Sequence, residues 1–367
     1  MKVLLLSDIN SPHTQKWASA LKQKGVETGI FSLTSLRLNS TWDTSDIFIF
    51  YSSSKKNIIH KESSWSKIGY LKYVPSLRNA IKTFSPDIVH AHYISSYGLL
   101  SVLSHFQPLV LSAWGSDVMF FPKKSVLHKN VIQFVLKKGA SICATSQALK
   151  KELSNYTHKK IHVIPFGIDT TIFKPMAIKK NDVFTVYTAK SLEKIYNIDI
   201  TIKAMAALHQ KYPQQPMQLL IAGDGSQRNY LEELAKNLNM EPFVVFKGWC
   251  TTNEMPVIIN NADILVNVSQ YESFGVSVLE ASSCEKCVIA TNTGGLTEVV
   301  EHEKTGFLIE MDNIQENLFN TLEYALLHPD ICQLLGKNGR QKVLSEYDLQ
   351  VCANNYLDVY TDIIQKN

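Results

Sequence analysis

Two periodicities alternate along the chain. Short runs rich in Val, Ile, Leu and Phe stand between longer stretches whose apolar residues recur every three or four positions. The first pattern predicts buried strands and the second amphipathic helices, and their regular succession is that of parallel α/β sheets. In the first half, strands are predicted at 3–7, 28–33, 46–50, 87–92, 109–113, 141–145 and 161–165. Helices fit between them. In HTQKWASALKQKG, Trp17, Ala20 and Leu21 share one face and Gly25 is placed to end the helix. The pattern breaks in PFGIDTTIFKPMAIKKND, which holds two prolines and a short basic run, then restarts with strands at 184–189, 218–223, 244–248, 263–269, 287–291 and 306–309. The remainder reads as helices.

A length of 367 residues exceeds what one hydrophobic core usually serves. The reading is therefore an N-terminal domain over 1–175, a second domain over 176–345, and a C-terminal helix over 346–367, for which packing back on the first domain is one option. Both domains read as Rossmann-like, doubly wound parallel sheets. Such sheets bind ligands outside the carboxyl ends of their strands, so the chemistry is expected in a central cleft that the two domains face.

Composition excludes several classes. An apolar fraction of 45% and a charged fraction of 19% belong to a globular protein and not to a disordered or fibrous one. The apolar run in MKVLLLSDIN is too short for a signal peptide, and no stretch approaches the roughly 18 apolar residues of a spanning helix. A cytoplasmic location is expected. The six cysteines lack the spacing of a disulfide framework or a zinc site; Cys284 and Cys287 form a lone CxxC and are expected to pack as small apolar residues.

Charge adds something the total of +4 hides. Residues 1–175 carry 22 Lys and Arg against 9 Asp and Glu, whereas 176–367 carry 15 against 24. A basic first half with the doublets Lys55/Lys56, Lys123/Lys124, Lys137/Lys138, Lys150/Lys151 and Lys159/Lys160 could lie on anionic lipid at the inner face of the plasma membrane, or be a merely solvated face. Nucleic acid is disfavoured because the doublets are dispersed and no nucleic-acid module surrounds them.

The richest segment is DILVNVSQYESFGVSVLEASSCEKCVIATNTGG, read as strand, loop, helix, strand and glycine turn. A helix starting near Gly275 or Val276 presents free amides and a positive dipole end to phosphate or developing negative charge. Gly275 permits close approach of a ligand to the backbone. Glu272 in the loop and Glu280 a little over a turn into the helix can border one cavity, where carboxylates accept hydrogen bonds from sugar hydroxyls.

The segment Glu272-Ser-Phe-Gly-Val-Ser-Val-Leu-Glu280 resembles the EX7E signature of glycosyltransferase family four. DIVHAH (87–92), PFGIDTTIFKP (165–175), LLIAGDGSQRNYLEELA (219–235), NADILVNVS (261–269), TGGLTEVV (293–300) and EKTGFLI (303–309) resemble that family's blocks in their usual order. The resemblance implies a GT-B fold and retaining transfer of a hexosyl group from a nucleotide diphosphate sugar, UDP- or GDP-linked, to a hydroxyl of a glycan or lipid-linked acceptor. Bacterial cell-surface polysaccharide or lipopolysaccharide synthesis is the implied setting. Glu272 would hold the donor hexose, assisted by the backbone around Phe274, Gly275 and Val276, and Glu280 the donor ribose. Lys190 and Lys194 match the family's basic pair on the diphosphate, where two cations would stabilise the departing charge. The family commonly has Arg at the first position and Lys-Gly at the second, where Tyr196 and Asn197 follow here.

Gly223 and Asp224, between a strand and a helix, are a further place for a nucleotide to approach, or a simple tight turn. No Asp-X-Asp is present, so no metal and no cofactor beyond the nucleotide sugar is expected. In the first domain, SDINSPHTQKW lacks the glycine-rich loop common in the family; His13 is the acceptor-side candidate and Thr14 reads as a helix cap. His90 and His92 are read as alternating on a strand end, so that one at most faces the cleft, and His92 is chosen. Trp114 stands where the family often has His, leaving Asp117 to bind the reacting sugar or orient a hydroxyl. Two rivals stay open: a non-catalytic nucleotide-sugar-binding protein of the same fold, and a sugar-nucleotide epimerase. An NAD-dependent oxidoreductase is weaker, because no GxGxxG follows a strand.

Overall fold

The structure is a computed structural model that describes all residues except 38–39, 41, 53–68, 71, 179–181 and 367. Lys55 and Lys56 of the first basic doublet, and Lys179 and Lys180 of the connecting segment, lie outside the described residues. The chain divides into two compact units, Met1–Phe166 with Gln350–Asn367, and Gly167–Leu349.

In the first unit seven strands form one sheet: β1 (Lys2–Leu6), β2 (Glu27–Ser32), β3 (Phe48–Tyr51), β4 (Ile88–His92), β5 (Leu109–Ala113), β6 (Ser141–Ala144) and β7 (Ile161–Val163). Their order is β3-β2-β1-β4-β5-β6-β7, and every pairing is parallel. In the second unit β8 (Phe184–Ala189), β9 (Met217–Ala222), β10 (Val244–Gly248), β11 (Ile264–Asn267), β12 (Cys287–Thr291) and β13 (Phe307–Ile309) run in the order β10-β9-β8-β11-β12-β13. These pairings are parallel too. All thirteen predicted strands are present within two residues of their expected ends.

The near-continuous apolar runs follow from this topology, since crossover helices cover both faces of a parallel sheet. β4, β5, β6 and β12 are buried at every residue. The helix Pro12–Gln23 buries Trp17, Ala20 and Leu21 together with Thr14 and Ala18. Gly25, at φ +78°, ends the turn that follows it. Thr14 does not cap that helix: Ser11 holds the cap position, and the buried Thr14 hydroxyl lies 2.7 Å from Ser7 Oγ. Pro12 starts the helix three residues earlier than a Thr14 cap requires, as its fixed φ allows.

The segment after β7 is tied into the second unit. Asn260 Nδ2 donates to the Lys174 carbonyl at 2.9 Å, and its Oδ1 accepts from the Met176 amide at 2.9 Å. Ser283 Oγ donates to the Phe173 carbonyl at 2.5 Å. At the other end of that unit, Ile168 donates to the Tyr347 carbonyl at 2.7 Å and accepts from the Leu349 amide at 2.9 Å. From Gln350 onward the last helix belongs to the first unit. Cys143, Cys284, Cys287, Cys332 and Cys352 are buried, and burial pushes the Cys284 thiol up to about 12.

In each sheet the winding reverses between two strands distant in sequence, β1 and β4 in the first and β8 and β11 in the second. The carboxyl ends of these pairs are where a doubly wound sheet opens a crevice.

Candidate functional site

In the second unit, the switch point joins Lys190, immediately after β8, to the loop after β11 that carries Glu272. The two form an ion pair, each side chain only 14% exposed. The Lys190 ammonium also lies 5.1 Å from the centre of the Tyr196 ring. Burial, and next the Glu272 charge, raise the Tyr196 phenol.

The Glu272 loop is held by its neighbours' backbones. Gly295 donates its amide to the Glu272 carbonyl at 2.8 Å, and the Gln270 amide donates to the Ile195 carbonyl at 2.8 Å. Asn197, in the left-handed region at φ 50°, donates from Nδ2 to the Val268 carbonyl at 3.0 Å and accepts from Gln270 Nε2 at 3.1 Å. A Cβ on Gly294, whose φ is +51°, would collide with the Glu272 carbonyl oxygen, and one on Gly295 with Ser273 and Phe274. These glycines let the turn after β12 lie flush against the carboxylate loop. Their role was not read from the sequence, where TGGLTEVV served only as a family block; two adjacent glycines directly after a buried strand were the available signal.

Gly275, at φ +108°, ends the loop, and the helix Val276–Ser283 begins at the next residue. Phe274 is buried, with its ring centre 5.9 Å from that of Tyr347. Glu280, half-buried in the second turn, is near enough to Tyr187 and Cys284 for its charge to add to the burial that raises both groups. Lys194 is exposed, in the turn that Asn197 closes.

The turn after β9 closes the other side. Gly223, at φ +130°, donates to the Gly248 carbonyl at 2.7 Å, and a Cβ there would strike the Lys190 carbonyl. Asp224 Oδ1 accepts from the Gly225 amide at 2.8 Å, and its carbonyl accepts from the Leu192 amide at 3.0 Å. Trp249, next to Gly248, is 77% exposed. It too went unread, because an isolated Trp after a strand resembles any other apolar residue.

In the first unit, the ends of β1, β4 and β5 assemble an aromatic cluster. The His13 ring stacks on Phe166 with centres 4.2 Å apart and meets Trp114 edge-on at 5.8 Å. His92 stacks on Trp114 at 4.5 Å. Among the described residues, His13 Nδ1, His92 Nδ1 and Trp114 Nε1 are sealed from solvent without a hydrogen-bond partner. Burial lowers His13 and His92 to about 3, with Lys16 and then His92 adding to the effect on His13. Both rings are therefore neutral near pH 7.

The reading of His90 and His92 as alternating is corrected: residues two apart in a strand share a face, and the two rings meet edge-on with centres 4.5 Å apart. Partners separate them. His90 Nδ1 lies 2.6 Å from Tyr360 Oη and Nε2 2.7 Å from Ser112 Oγ, which in turn lies 3.1 Å from Tyr356 Oη.

Asp117 is buried and accepts three backbone amides, from Trp114 at 3.2 Å, Gly115 at 2.9 Å and Ile94 at 2.8 Å. Burial raises its carboxyl, and these amides work against the rise. The carboxylate thus braces the turn after β5 against the chain after β4.

Two domain families match the chain: "Glycosyl transferase 4-like" over residues 2–146 and "Glycosyl transferases group 1" over residues 169–342. A relative, N-acetyl-alpha-D-glucosaminyl L-malate synthase of Bacillus anthracis, is 24% identical over 298 residues, covering 76% of this chain and 75% of its own. Among solved structures, sucrose-phosphate synthase from Thermosynechococcus elongatus superposes with a TM-score of 0.85 at 19% identity, covering all of both chains. Anabaena Alr3699/HepE in complex with UDP-glucose superposes with a TM-score of 0.79 at 19% identity, covering 99% of this chain and 100% of its own. The likeness to these structures is one of fold.

Proposed function

The chain belongs to glycosyltransferase family four, of GT-B fold, and from that premise we propose that this enzyme moves a hexosyl group from a nucleotide diphosphate sugar, UDP- or GDP-linked, to a hydroxyl of a glycan or lipid-linked acceptor. The observation that carries the proposal is the junction of Lys190, Glu272 and the helix starting at Val276 around one strand switch point. It sets a cation, a carboxylate and free helical amides together, which are the groups needed by a diphosphate, a sugar hydroxyl and the charge that develops between them. A relative in fold binds UDP-glucose, which favours a UDP-hexose.

In this reading Glu272 holds hydroxyls of the transferred hexose, Glu280 accepts from the ribose diol, and Lys190 with Lys194 neutralises the diphosphate without a metal. Gly223 and Asp224 shape the nucleotide's approach, and the exposed Trp249 offers the base a ring face. The bond from the anomeric carbon to the phosphate oxygen breaks as the acceptor oxygen bonds to the same face of that carbon. The acceptor's proton passes to the departing phosphate oxygen, so the configuration is retained. Imidazoles lowered to about 3 are poor proton acceptors, which favours this route. His92 and His13 then orient the acceptor through neutral ring nitrogens, backed by the Trp114 ring, and Asp117 keeps their turn in place. A membrane-borne acceptor in cell-surface polysaccharide or lipopolysaccharide synthesis fits the basic first unit. Among the described residues no helix is long and apolar enough to cross a membrane, and the reading is peripheral attachment.

Thermal unfolding across a panel of nucleotide sugars tests the proposal. The correct donor is expected to raise the midpoint well above buffer, since a ligand at 100 times its Kd adds about 2.7 kcal/mol. Product analysis with that donor should show transfer to an added hydroxyl. A panel that stabilises nothing, or a donor converted to its epimer without an acceptor, would overturn it.

A further inference from the structure

From Val118 to Lys151 the chain carries seven lysines and no acidic residue. Within this stretch of the first unit the helix Val126–Lys138 turns His128, Ile132, Val135 and Leu136 inward. Ser125 fixes its start: Oγ accepts from the His128 amide and lies 2.7 Å from His128 Nδ1. With the first turn pinned in this way, Val126 and Leu127 stand out, 74% and 70% exposed. Phe134, 46% exposed, lies two turns further on the same stripe. Phe120, 51% exposed, precedes the helix together with Lys123 and Lys124. The exposed Lys129, Lys137 and Lys138 complete the surroundings. Among these lysines, Lys123 meets Glu152 at 3.0 Å.

Single exposed apolar residues need no explanation, but four large ones within fifteen positions, accompanied only by positive charge, do. A merely solvated helix carries polar residues on its outer face. An apolar stripe edged by lysines is instead the composition of a helix lying at the headgroup boundary of a bilayer. A nucleic acid would match the lysines, but it offers Val126 and Leu127 no apolar phase.

We infer that this face docks on an anionic lipid bilayer, with Phe120, Val126, Leu127 and Phe134 entering the headgroup boundary and Lys129, Lys137 and Lys138 meeting lipid phosphates. The inference rests on the reading of a membrane-borne acceptor and assigns that reading a surface.

The test is flotation of the full chain with vesicles of phosphatidylcholine alone and of equimolar phosphatidylcholine and phosphatidylglycerol, at low and high salt. The protein should float with the anionic vesicles at low salt and release at high salt. The pairs Val126→Ser with Leu127→Ser, and Lys129→Glu with Lys137→Glu, should each lower partitioning about ten-fold or more. Both pairs should leave thermal unfolding and donor hydrolysis unchanged, since these side chains are exposed and lie outside the donor-binding unit. The pair Lys72→Glu with Lys82→Glu, on another exposed part of the same unit, should have a smaller effect. If that pair abolishes flotation while the first two bind like wild type, this face is wrong and the membrane reading stands. If wild type fails to float at low salt, both fall.

Discussion

Lys190 and Glu272 form an ion pair although 82 residues separate them. They meet because β8 and β11 are neighbours at the switch point of the second sheet, so the residues leaving the two strands share one crevice. The pair puts the proposed diphosphate cation on the proposed sugar-holding carboxylate. Donor binding has to redistribute that charge, and each member can be tested separately.

Glu272→Gln removes the charge and keeps the shape. Turnover is expected to fall by about 10²–10³, with circular dichroism unchanged. Near-normal turnover would remove Glu272 from the reaction.

Lys190→Ala should lower kcat/KM by about 10², whereas Lys190→Arg, which keeps the cation, should stay within about ten-fold of wild type. Equal losses in steady-state kinetics would mean that Lys190 acts by its shape and not by its charge.

Gly294→Ala drives a Cβ into the Glu272 carbonyl. It is expected to cost about 1–3 kcal/mol in urea unfolding and to cut turnover by displacing the carboxylate loop. Gly25→Ala is the control. It also has positive φ but nothing within 4 Å of the added carbon, so it should cost only about 1–2 kcal/mol of backbone strain and leave turnover intact. Unchanged turnover in Gly294→Ala would refute the locking role.

Tyr360→Phe takes the partner from the buried His90 Nδ1. A loss of about 1–3 kcal/mol is expected, read from the urea midpoint. A loss below about 0.5 kcal/mol would show that the hydrogen bond contributes little to holding the last helix in place.

His13 and His92 make stability depend on pH. Their folded values are near 3 against an ordinary 6.5. Below 6.5 the unfolded chain therefore takes up protons that the folded chain refuses, and stability falls as pH falls toward 3. Each histidine contributes a slope of up to about 1.4 kcal/mol per pH unit. The raised Asp117 carboxyl opposes part of this at the acid end. Urea midpoints between pH 7 and 5 should drop for wild type and drop less for His92→Phe. Parallel pH profiles would place the titration elsewhere.

Much of the fold was legible in the sequence because it depends on local pattern. Strands buried on both faces have to be continuously apolar, and the helices between them have to carry a one-sided stripe, so all thirteen strands could be located from the sequence. The donor half was legible in part for the same reason. Glu272, Gly275 and Glu280 lie on one short strand, loop and helix whose spacing is local.

What local pattern could not show was decided by side-by-side placement of distant strands. That placement paired Lys190 with Glu272 and set Gly294 and Gly295 under the carboxylate loop. It also gave His90 to Tyr360, and used the Asp117 carboxylate to hold three backbone amides. Apart from the bonds of Asp117 to the nearby Trp114 and Gly115 amides, each contact joins segments that the sequence keeps apart, and a hydrogen bond or collision depends on distance in space. The sequence by itself determined which elements form and the class of chemistry they carry. Only the tertiary structure decided which side chains are held by one another and which polar atoms remain unpaired, because parallel sheets are stitched from strands that the chain visits out of order.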